Sequence, residues 1–346
     1  MTNFVEPRHT KSQVNRAGQR ISSDGLTRET LDDYLVIENW RASHAWVINT
    51  FQANLRRRSR GKIIVVGTRL KRRATIFNKL KRFPAMNLAR MHDIAGCRVI
   101  FQSIQELYAF RQAVHSARFS HKRRSTNEEK WNYIEHPKED GYRGVHDVYE
   151  YDVRSNQGRL WKGLLIEIQY RTLLQHSWAT AVEVAGLLTH NNPKFGQGEP
   201  EFVEFFAVAS ELLARRFENM TSCYPSESES SLIERLRVLE QETRILQLFK
   251  RVNSKVVEID FKMNNVLVFP FVPEGEENMS DLSVYSYSSL KQAIDTYNSL
   301  EKELENKADV VLVRADNFEN MRITFRNYFA DTTEFVSHID DVMELS

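Results

Sequence analysis

The hydrophobic pattern of the chain changes repeatedly between the period of a helix and that of a strand. Apolar residues recur at roughly helical spacing over residues 31–58, whereas residues 62–67 form a short β-branched run that is typical of a strand. A second helix is predicted over 68–83, because Pro84 follows it. Residues 93–101 are then predicted to be a buried strand. This alternation predicts a mixed α/β fold.

The middle of the chain continues the pattern around one long polar segment. Strands are predicted over 145–153 and 164–171, and helices over 103–117, 173–188 and 201–220. Residues 119–144 are polar, charged and rich in turn formers. Long loops in compact domains tend to be functional, so we expect this loop to contribute to a site.

A serine-rich polar stretch at 221–230 divides the chain. It predicts a first domain of residues 1–222, a linker of residues 223–230 and a C-terminal α/β domain of residues 231–346. Within this last part, the pattern predicts helices over 231–253 and 288–307, strands over 256–261, 265–272 and 309–314, and a helical region from residue 317.

Length and composition exclude several classes of protein. The chain has 346 residues, enough for a sizeable core, and no apolar run approaches the ~20 residues of a membrane helix. Residues 1–20 lack the apolar region of a secretory signal. Two cysteines in unrelated contexts, Cys97 and Cys223, argue against a disulfide framework or a zinc site. We therefore expect a cytoplasmic protein that makes no membrane contact.

The net charge is only +2, but the charged residues are unevenly distributed. Residues 55–82 contain 12 Lys or Arg and no Asp or Glu, whereas residues 273–346 contain 16 Asp or Glu against 6 Lys or Arg. The basic segment favours a polyanionic ligand, and the acidic segment could lie against it. Two solvated helical faces of opposite sign explain the same charges equally well.

Part of the basic segment has a spacing that suits phosphates. Lys71, Thr75 and Lys79 are four residues apart and share one face of the predicted helix, and Arg69 lies close before them. Clustered cations are favourable beside a polyanion such as a triphosphate. A solvated basic face or a nucleic-acid patch is the alternative.

Two predicted strands carry polar residues. Asp93 begins one of them, and in the other Glu167, Gln169 and Arg171 share a face opposite two isoleucines. Such groups are costly to bury without partners or ligands. The two carboxylates could hold Mg²⁺, which prefers oxygen ligands and phosphate-bound sites. Internal salt bridges are the alternative.

The long polar loop ends in a turn that combines an aromatic residue with cations. Gly141 and Gly144 bracket Tyr142 and Arg143. The ring of Tyr142 could stack on a base while Arg143 and Lys138 reach phosphates. An ordinary turn that leads into a strand is the alternative.

Together these blocks resemble the synthetase domain of the RelA/SpoT family. They are Arg69-x-Lys71-x-x-x-Thr75-Ile-x-x-Lys79, Asp93-Ile-Ala-Gly-Cys-Arg98-Val-Ile, Pro137-Lys-x-x-Gly-Tyr142-Arg-x-x-His146 and Glu167-Ile-Gln169-x-Arg171-Thr. All four occur in family order, within about residues 35–220. The resemblance implies a nucleotidyltransferase-like domain with a mixed sheet flanked by helices. It also implies a pyrophosphokinase that moves the β,γ-diphosphate of ATP to a ribose 3′-hydroxyl and releases AMP.

The resemblance implies a role for each matched residue. The ATP phosphates would be bound by Arg69, Lys71, Thr75, Lys79 and Arg98. The acceptor would be bound by Lys138, Tyr142, Arg143, His146 and Arg171, with Tyr142 stacked on its base. Asp93 would ligate Mg²⁺, and Glu167, supported by Gln169 and Arg171, would ligate the metal or take the proton of the attacking hydroxyl.

Two features qualify the resemblance. Asn132-Tyr133-Ile134 stands where family members often carry Asp-Tyr-Ile. The segment before Arg69 is too short for the hydrolase domain of the family, so we expect no alarmone hydrolysis. A degenerate protein that only binds RNA or nucleotides is an alternative, although Asp93, Tyr142 and Glu167 keep chemically competent identities.

The family divides by acceptor. Asn39-Trp40-Arg41-x-x-His44 and Tyr328-Phe-x-Asp331 resemble toxic small alarmone synthetases that carry a fused antitoxin, as in the CapRel anti-phage proteins. This implies a toxin that pyrophosphorylates the tRNA 3′ end, is inhibited by its C-terminal domain and is released by a phage protein or another trigger. The alternative is an alarmone synthetase that acts on GDP or GTP, or on an adenine nucleotide, and has a regulatory tail.

Residues outside the nucleotide motifs bear on this choice. The candidates for tRNA contact are Arg56, Arg57, Arg58, Lys122, Arg123 and Arg124, because extra cations suit a tRNA backbone. Tyr285 and Tyr287 could inhibit the enzyme by plugging an adenine pocket through stacking. Ordinary packing within the C-terminal part is the alternative for both tyrosines.

Overall fold

A mixed sheet of eight strands organises the part of the chain that the structure describes. The structure is a computed structural model, and it describes residues 4–25, 27–62, 64–189, 199–251, 262–270, 283–304, 307–314, 321, 323 and 331–344. The strand order is β3 (Lys122–Arg123), β4 (Val145–Glu150), β5 (Leu165–Thr172), β2 (Ala95–Phe101), β1 (Val65–Leu70), β8 (Ala308–Arg314), β6 (Asn264–Pro270) and β7 (Ser283–Tyr287). Only β2 and β5 pair in parallel; the other neighbours are antiparallel. The predicted α/β class is confirmed.

The first half of the chain supplies the centre of the sheet. Its helices are α1 (Lys11–Asp24), α2 (Leu31–Ser59), α3 (Arg73–Arg82), α4 (Ile104–His115), α5 (Glu128–Trp131), α6 (Leu173–Thr189) and α7 (Pro200–Glu218). Its strands are β1 (Val65–Leu70), β2 (Ala95–Phe101), β3 (Lys122–Arg123), β4 (Val145–Glu150) and β5 (Leu165–Thr172). Apolar residues of β1, β2 and β5 pack with α1, α2 and α4 in one large core.

The second half adds strands to the same sheet and helices beside it. It contains α8 (Glu229–Thr243), α9 (Ile245–Arg251), β6 (Asn264–Pro270), β7 (Ser283–Tyr287), α10 (Leu290–Glu303), β8 (Ala308–Arg314) and α11 (Thr333–Glu344). β8 pairs with β1, while α8, α9 and α11 share a second apolar core with α6 and α7. The division into domains at residues 223–230 stays a prediction, and the two parts have a sheet and a helical core in common.

The stretch predicted as a linker is held to α7 by polar contacts. The backbone N–H groups of Ser222 and Tyr224 donate to the buried Glu211 carboxylate at 2.6 and 2.9 Å. Arg215 donates to the carbonyl oxygens of Tyr224 and Glu227. These bonds satisfy backbone groups that an isolated linker would leave to water.

Several predicted elements are shifted or divided. β1 begins three residues later than predicted and extends to Leu70, because its backbone pairs with β2 on one side and β8 on the other. Consequently α3 begins at Arg73 and not at residue 68. The predicted helix over 231–253 is two helices, separated at Arg244, whose φ of 53° is left-handed.

Other predictions fall partly outside the described residues. The predicted strand over 256–261 lies there entirely, whereas the helical region predicted from residue 317 lies there only in part and contains α11. The strand β7 was not predicted, since its alternation of serine with valine and tyrosine lies in a polar context. None of the described helices is long and apolar enough to cross a bilayer.

Candidate active site

Strand register brings polar side chains from separate sequence blocks to one face of the sheet. Residues that are paired directly across a ladder point to the same side. Arg98 of β2 pairs with Gln169 of β5, which in turn pairs with His146 of β4. Arg69 of β1 and Glu167 of β5 flank the same residue of β2. We call the side of the sheet that carries Arg69, Arg98, His146, Glu167 and Gln169 the polar face.

Asp93, two residues before β2, is held by two of the predicted phosphate-binding lysines. Its carboxylate oxygens lie 2.7 Å from Lys71 Nζ and 3.0 Å from Lys79 Nζ. Burial opposes ionisation of Asp93, but the charges of Lys71 and Lys79 outweigh it and hold the pKa of Asp93 well below its usual range. The carboxylate is therefore ionised at neutral pH and organises the cations around it.

The structure corrects the predicted geometry of these cations. Lys71 does not lie on a helix face with Thr75 and Lys79; it lies in the turn between β1 and α3, where its N–H donates to the Ile94 carbonyl at 2.8 Å. Burial lowers the pKa of Lys71 to about 8, despite the neighbouring Asp93. Thr75 is half-buried in the first turn of α3.

Arg98 faces the same side from β2. Burial lowers the pKa of its guanidinium to about 10, and the nearby positive charges of Arg171 and Arg69 contribute to this. The guanidinium is still protonated at neutral pH. The polar face thus concentrates positive charge between Asp93 and the loop of residues 137–144, which carries Tyr142 and which we call the acceptor loop.

The predicted acceptor and catalytic residues form one connected network. Arg171 Nη2 donates to Tyr142 Oη at 3.0 Å, and His146 Nε2 lies 2.6 Å from the same oxygen. On its other side, His146 Nδ1 lies 3.2 Å from Glu167 Oε1, and Gln169 donates to Glu167 Oε2 at 2.8 Å. The network connects Tyr142, whose ring is expected to stack on the nucleobase of the acceptor, with Glu167, which is expected to accept the hydroxyl proton.

The network is highly charged. Burial would lower the pKa of His146, but Tyr142 and Glu167 raise it to about 9, so both ring nitrogens carry protons at neutral pH. Burial would raise the pKa of Tyr142, but Arg171 and His146 lower it to about 8. Burial likewise opposes ionisation of Glu167, and His146 and Gln169 outweigh it and lower its pKa.

Tyr133 extends the aromatic surface beside this network, and sequence reasoning did not assign it a role. Its ring centroid lies 5.5 Å from that of Tyr142 and 5.2 Å from that of His146, with edge-to-face geometry. Lys138 Nζ lies 4.8 Å from the Tyr133 ring centroid and 5.1 Å from that of Tyr142. Its place beside the family's loop motif was the signal that could have identified it.

Asn132, the departure from the family triplet, holds the turn that carries Tyr133. Its side-chain oxygen accepts the N–H groups of Ile134 and Glu135 at 3.2 and 3.3 Å, an Asx turn. Its amide donates to Tyr108 Oη at 3.0 Å. Asn132 is buried, so it shapes the turn rather than facing the polar surface.

Arg143 is not brought to the acceptor surface. Its guanidinium is buried and forms an ion pair with Glu218 at the end of α7. Thr172 Oγ1 donates to the same carboxylate at 2.6 Å, and Gln175 donates to it at 3.2 Å. In this structure Arg143 therefore fastens the loop to α7 and does not reach toward phosphates.

Three of the six candidates for tRNA contact are paired with acidic residues. At the β3 edge, Lys122 pairs with Asp152 at 3.7 Å, Arg123 with Glu128 at 3.3 Å, and Arg124 with Glu150. Arg56, Arg57 and Arg58 form the last turn of α2, where Arg58 donates to the Ala113 carbonyl. By register, Lys122 is on the same side of the sheet as His146 but at the far end of β4, whereas Arg123 points to the opposite side.

Tyr285 and Tyr287 lie on β7, the edge strand beyond β6 and β8. Tyr285 is 43% exposed, and Tyr287 packs against the small apolar cluster of β6, β8 and α10. Four strand spacings, about 19 Å, separate β7 from β2. The structure does not bring either tyrosine to the polar face.

The residues present fit a magnesium ion that phosphates help to hold. The described residues contain no group of three or more His, Cys, Asp or Glu that could hold a metal by themselves. Asp93 and Glu167 are close enough for each charge to affect the other. Mg²⁺ is commonly bound by one or two carboxylates together with substrate phosphates, which is the set available here.

Comparison with known proteins identifies the family. A profile described as "Region found in RelA / SpoT proteins" matches residues 68–187. The GTP pyrophosphokinase YjbM of Bacillus subtilis is 33% identical over 157 residues, which are 44% of this chain and 68% of that protein. The chain belongs to the RelA/SpoT synthetase family. It is a pyrophosphokinase by that membership, and the matched region contains β2, β4 and β5 together with Arg69 of β1.

Two solved structures are similar to this chain. The small alarmone synthetase 1 from Bacillus subtilis bound to its product pppGpp aligns at 23% identity and a TM-score of 0.42, over 51% of this chain and 90% of that one. A GTP pyrophosphokinase family protein from Streptococcus pneumoniae aligns at 21% identity and a TM-score of 0.39, over 65% and 95%.

Proposed function

We propose that this chain transfers the β,γ-diphosphate of ATP to the 3′-hydroxyl of a guanine nucleotide, GDP or GTP, and releases AMP. One observation carries the proposal: the polar face has cations clustered around Asp93 at one end, an aromatic network at the other, and Glu167 between them. Such a face can bind a triphosphate and a nucleoside side by side.

The donor end suits the triphosphate of ATP. Lys71 and Lys79 converge on Asp93, and Arg69 and Arg98 lie on the adjacent strands of the same face. Phosphoryl transfer depends mainly on positioning and on neutralising charge, and fixed cations supply both. On phosphate binding, the lysines can exchange the Asp93 carboxylate for phosphate oxygens.

Mg²⁺ would be held by Asp93 and Glu167 in this arrangement, and it would neutralise charge on the phosphates. Glu167 is buried and ionised beside the protonated His146, so its carboxylate can accept the 3′-hydroxyl proton. The 3′ oxygen then bonds to the β-phosphorus, the bond from that phosphorus to the α,β-bridging oxygen breaks, and AMP leaves with this oxygen.

The acceptor end favours a single nucleotide. Tyr133 and Tyr142 present aromatic rings for a base, and Lys138 lies over both rings. Arg171 and His146 fix the Tyr142 hydroxyl. The B. subtilis relative is named a GTP pyrophosphokinase. In contrast, three of the six cations predicted for tRNA contact are paired with carboxylates at the β3 edge.

The second candidate is a toxin that pyrophosphorylates the tRNA 3′ end, as the resemblance to CapRel-like proteins implied. One observation favours it: members of the two basic clusters meet at the end of α4, since Arg58 Nη1 donates to the Ala113 carbonyl oxygen at 3.2 Å and Arg123 Nη1 lies 3.1 Å from His115 Nδ1. A converged basic surface could bind an RNA backbone. Inhibition by the C-terminal part, and its release by a phage protein, remain predictions that accompany this candidate.

An acceptor assay separates the candidates. The full-length protein would be incubated with γ-labelled ATP and Mg²⁺ and offered GDP, GTP, ATP or bulk tRNA. We expect label on GDP or GTP. Label on the 3′ end of tRNA alone would replace the proposed acceptor by the second candidate. No label on any acceptor, from a folded protein that binds ATP, would contradict the proposed function, whereas the second candidate predicts this result until its inhibition is released.

A further inference from the structure

A buried ion cluster lies behind the turn that carries Lys71. Arg41 of α2 is 1% exposed and Arg73 of α3 is 6% exposed, yet both guanidinium groups have charged partners. Arg41 pairs with Glu301 of α10 at 3.1 Å, and Arg73 pairs with Glu38 of α2 at 2.9 Å. Cross pairs at 3.5 and 3.6 Å complete a group of two arginines and two glutamates. Buried charges persist only when they are paired in this way.

The cluster holds both ends of the turn of residues 71–73, which joins β1 to α3 and carries Lys71. Arg41 Nε donates to the Lys71 carbonyl oxygen at 2.7 Å. At the other end, Glu301 Oε1 accepts the backbone N–H of Arg73 at 3.3 Å and also accepts Arg41 Nη2. The carboxylate of α10 therefore fixes the start of α3 directly and the Lys71 backbone through Arg41.

Strand register places α10 behind the turn. Val313 of β8 pairs with Arg69, so Val313 shares the polar face. Val310, an odd number of positions away, points to the opposite side, where it packs with Ala293 and Tyr297 of α10. The Tyr297 ring lies 5.1 Å from the Arg41 guanidinium carbon. Glu301 thus approaches the turn from the side opposite the polar face and does not occupy the phosphate site.

We propose that Glu301 is a positioning residue for ATP, so that α10, a helix of the second half of the chain, completes the donor site. Its charge holds Arg41 and the start of α3, and these hold Lys71 where it can meet a phosphate. The inference rests on the proposed use of ATP as donor. It assigns α10 a supporting contact where the fused-antitoxin resemblance predicts an inhibitory one.

The test compares point variants of the full-length chain. Glu301→Gln keeps the size of the side chain and removes its charge. Loss of one buried charge-assisted contact corresponds to about a tenfold change, so we expect the KM for ATP, and the Kd of a non-hydrolysable ATP analogue, to rise by about tenfold. The KM for the acceptor should stay within about twofold.

Measuring the KM for ATP distinguishes a positioning role of Glu301 from a loss of folded enzyme. A variant that is partly unfolded loses active enzyme and so lowers the maximal rate, but the KM of the remaining enzyme is unchanged. Tyr297→Leu provides a second route if Glu301→Gln folds poorly, because it removes the ring beside Arg41 and leaves all four charges. Glu303→Gln, exposed on the same helix, is the matched control and should leave every constant unchanged.

Two results would overturn the proposal. An unchanged KM for ATP in both Glu301→Gln and Tyr297→Leu would reduce the cluster to a structural role. A lower KM for ATP, or faster turnover, would make α10 an inhibitory element. If the wild-type protein transfers no diphosphate, the proposed function fails, yet the analogue Kd still reports whether Glu301 positions the ATP site.

Discussion

At the scale of single residues, the site depends on which charges are already matched before substrate binds. Asp93 is matched by Lys71 and Lys79, and Glu167 by His146 and Gln169. Glu167 is therefore an ionised carboxylate in a largely buried position. This environment is typical of a residue with a chemical role.

Replacing Glu167 with Gln should separate chemistry from binding. The amide keeps the shape of the side chain but cannot take the 3′-hydroxyl proton, so kcat should fall by about 10²- to 10⁴-fold. Steady-state rates and the Kd of a non-hydrolysable ATP analogue would be measured together, and the Kd should change by less than about threefold. Glu150→Gln, at the far end of β4, is the control. Retained turnover in Glu167→Gln would remove this residue from the mechanism.

At the scale of elements, the acceptor loop owes its shape to α7. Arg143 and the backbone around Gly141 face this helix, and Ser210 Oγ donates to the Gly141 carbonyl at 2.6 Å. Gly141 has a φ of +87°, which favours glycine, and a Cβ there would lie 2.9 Å from Ala207 Cα and from Ser210 Cβ. Tyr142 is thus aimed by a close approach between loop and helix.

Gly141→Ala should consequently disturb both folding and acceptor binding. The left-handed backbone costs about 1 kcal/mol, and the clash with α7 adds about 1–3 kcal/mol to the loss of unfolding free energy. We expect the KM for the acceptor to rise while the KM for ATP stays the same. Gly61→Ala, at a φ of +74° with open space around it, should show only the backbone cost. Equal losses in the two variants, by urea denaturation, would refute the clash.

Local sequence patterns predicted most of the candidate site residues, but few of the long-range contacts that hold those residues in place. Asp93, Tyr142, His146 and Glu167 could be predicted because motif residues that share a strand or a loop are close in sequence. Lys71 was placed on a helix because its i, i+4 spacing to Thr75 fits one, and only pairing with β2 and β8 extends β1 that far. Contacts across long separations, such as that between Arg41 and Glu301, leave no periodic signal.

At the scale of the whole molecule, the described titratable groups change the free energy of unfolding with pH in opposite directions. Burial lowers the pKa of His44, His92 and His121. Each of these histidines binds fewer protons in the folded protein than in the unfolded chain, so together they make stability rise with pH up to about 6.5. His146 has the opposite effect, because its pKa is raised to about 9.

The free energy of unfolding should therefore be highest near pH 6.5 and fall toward pH 8. Between these values the folded protein keeps the His146 proton that the unfolded chain releases, a loss of at most about 2 kcal/mol. Tyr142 and Lys71, whose pKa values are lowered to about 8, restore stability only above that pH. Urea denaturation at pH 6.5 and pH 8 measures the fall, and His146→Gln should abolish it. A fall that persists in the variant would show that another group carries the proton and that the network of Tyr142, His146 and Glu167 is not charged as described.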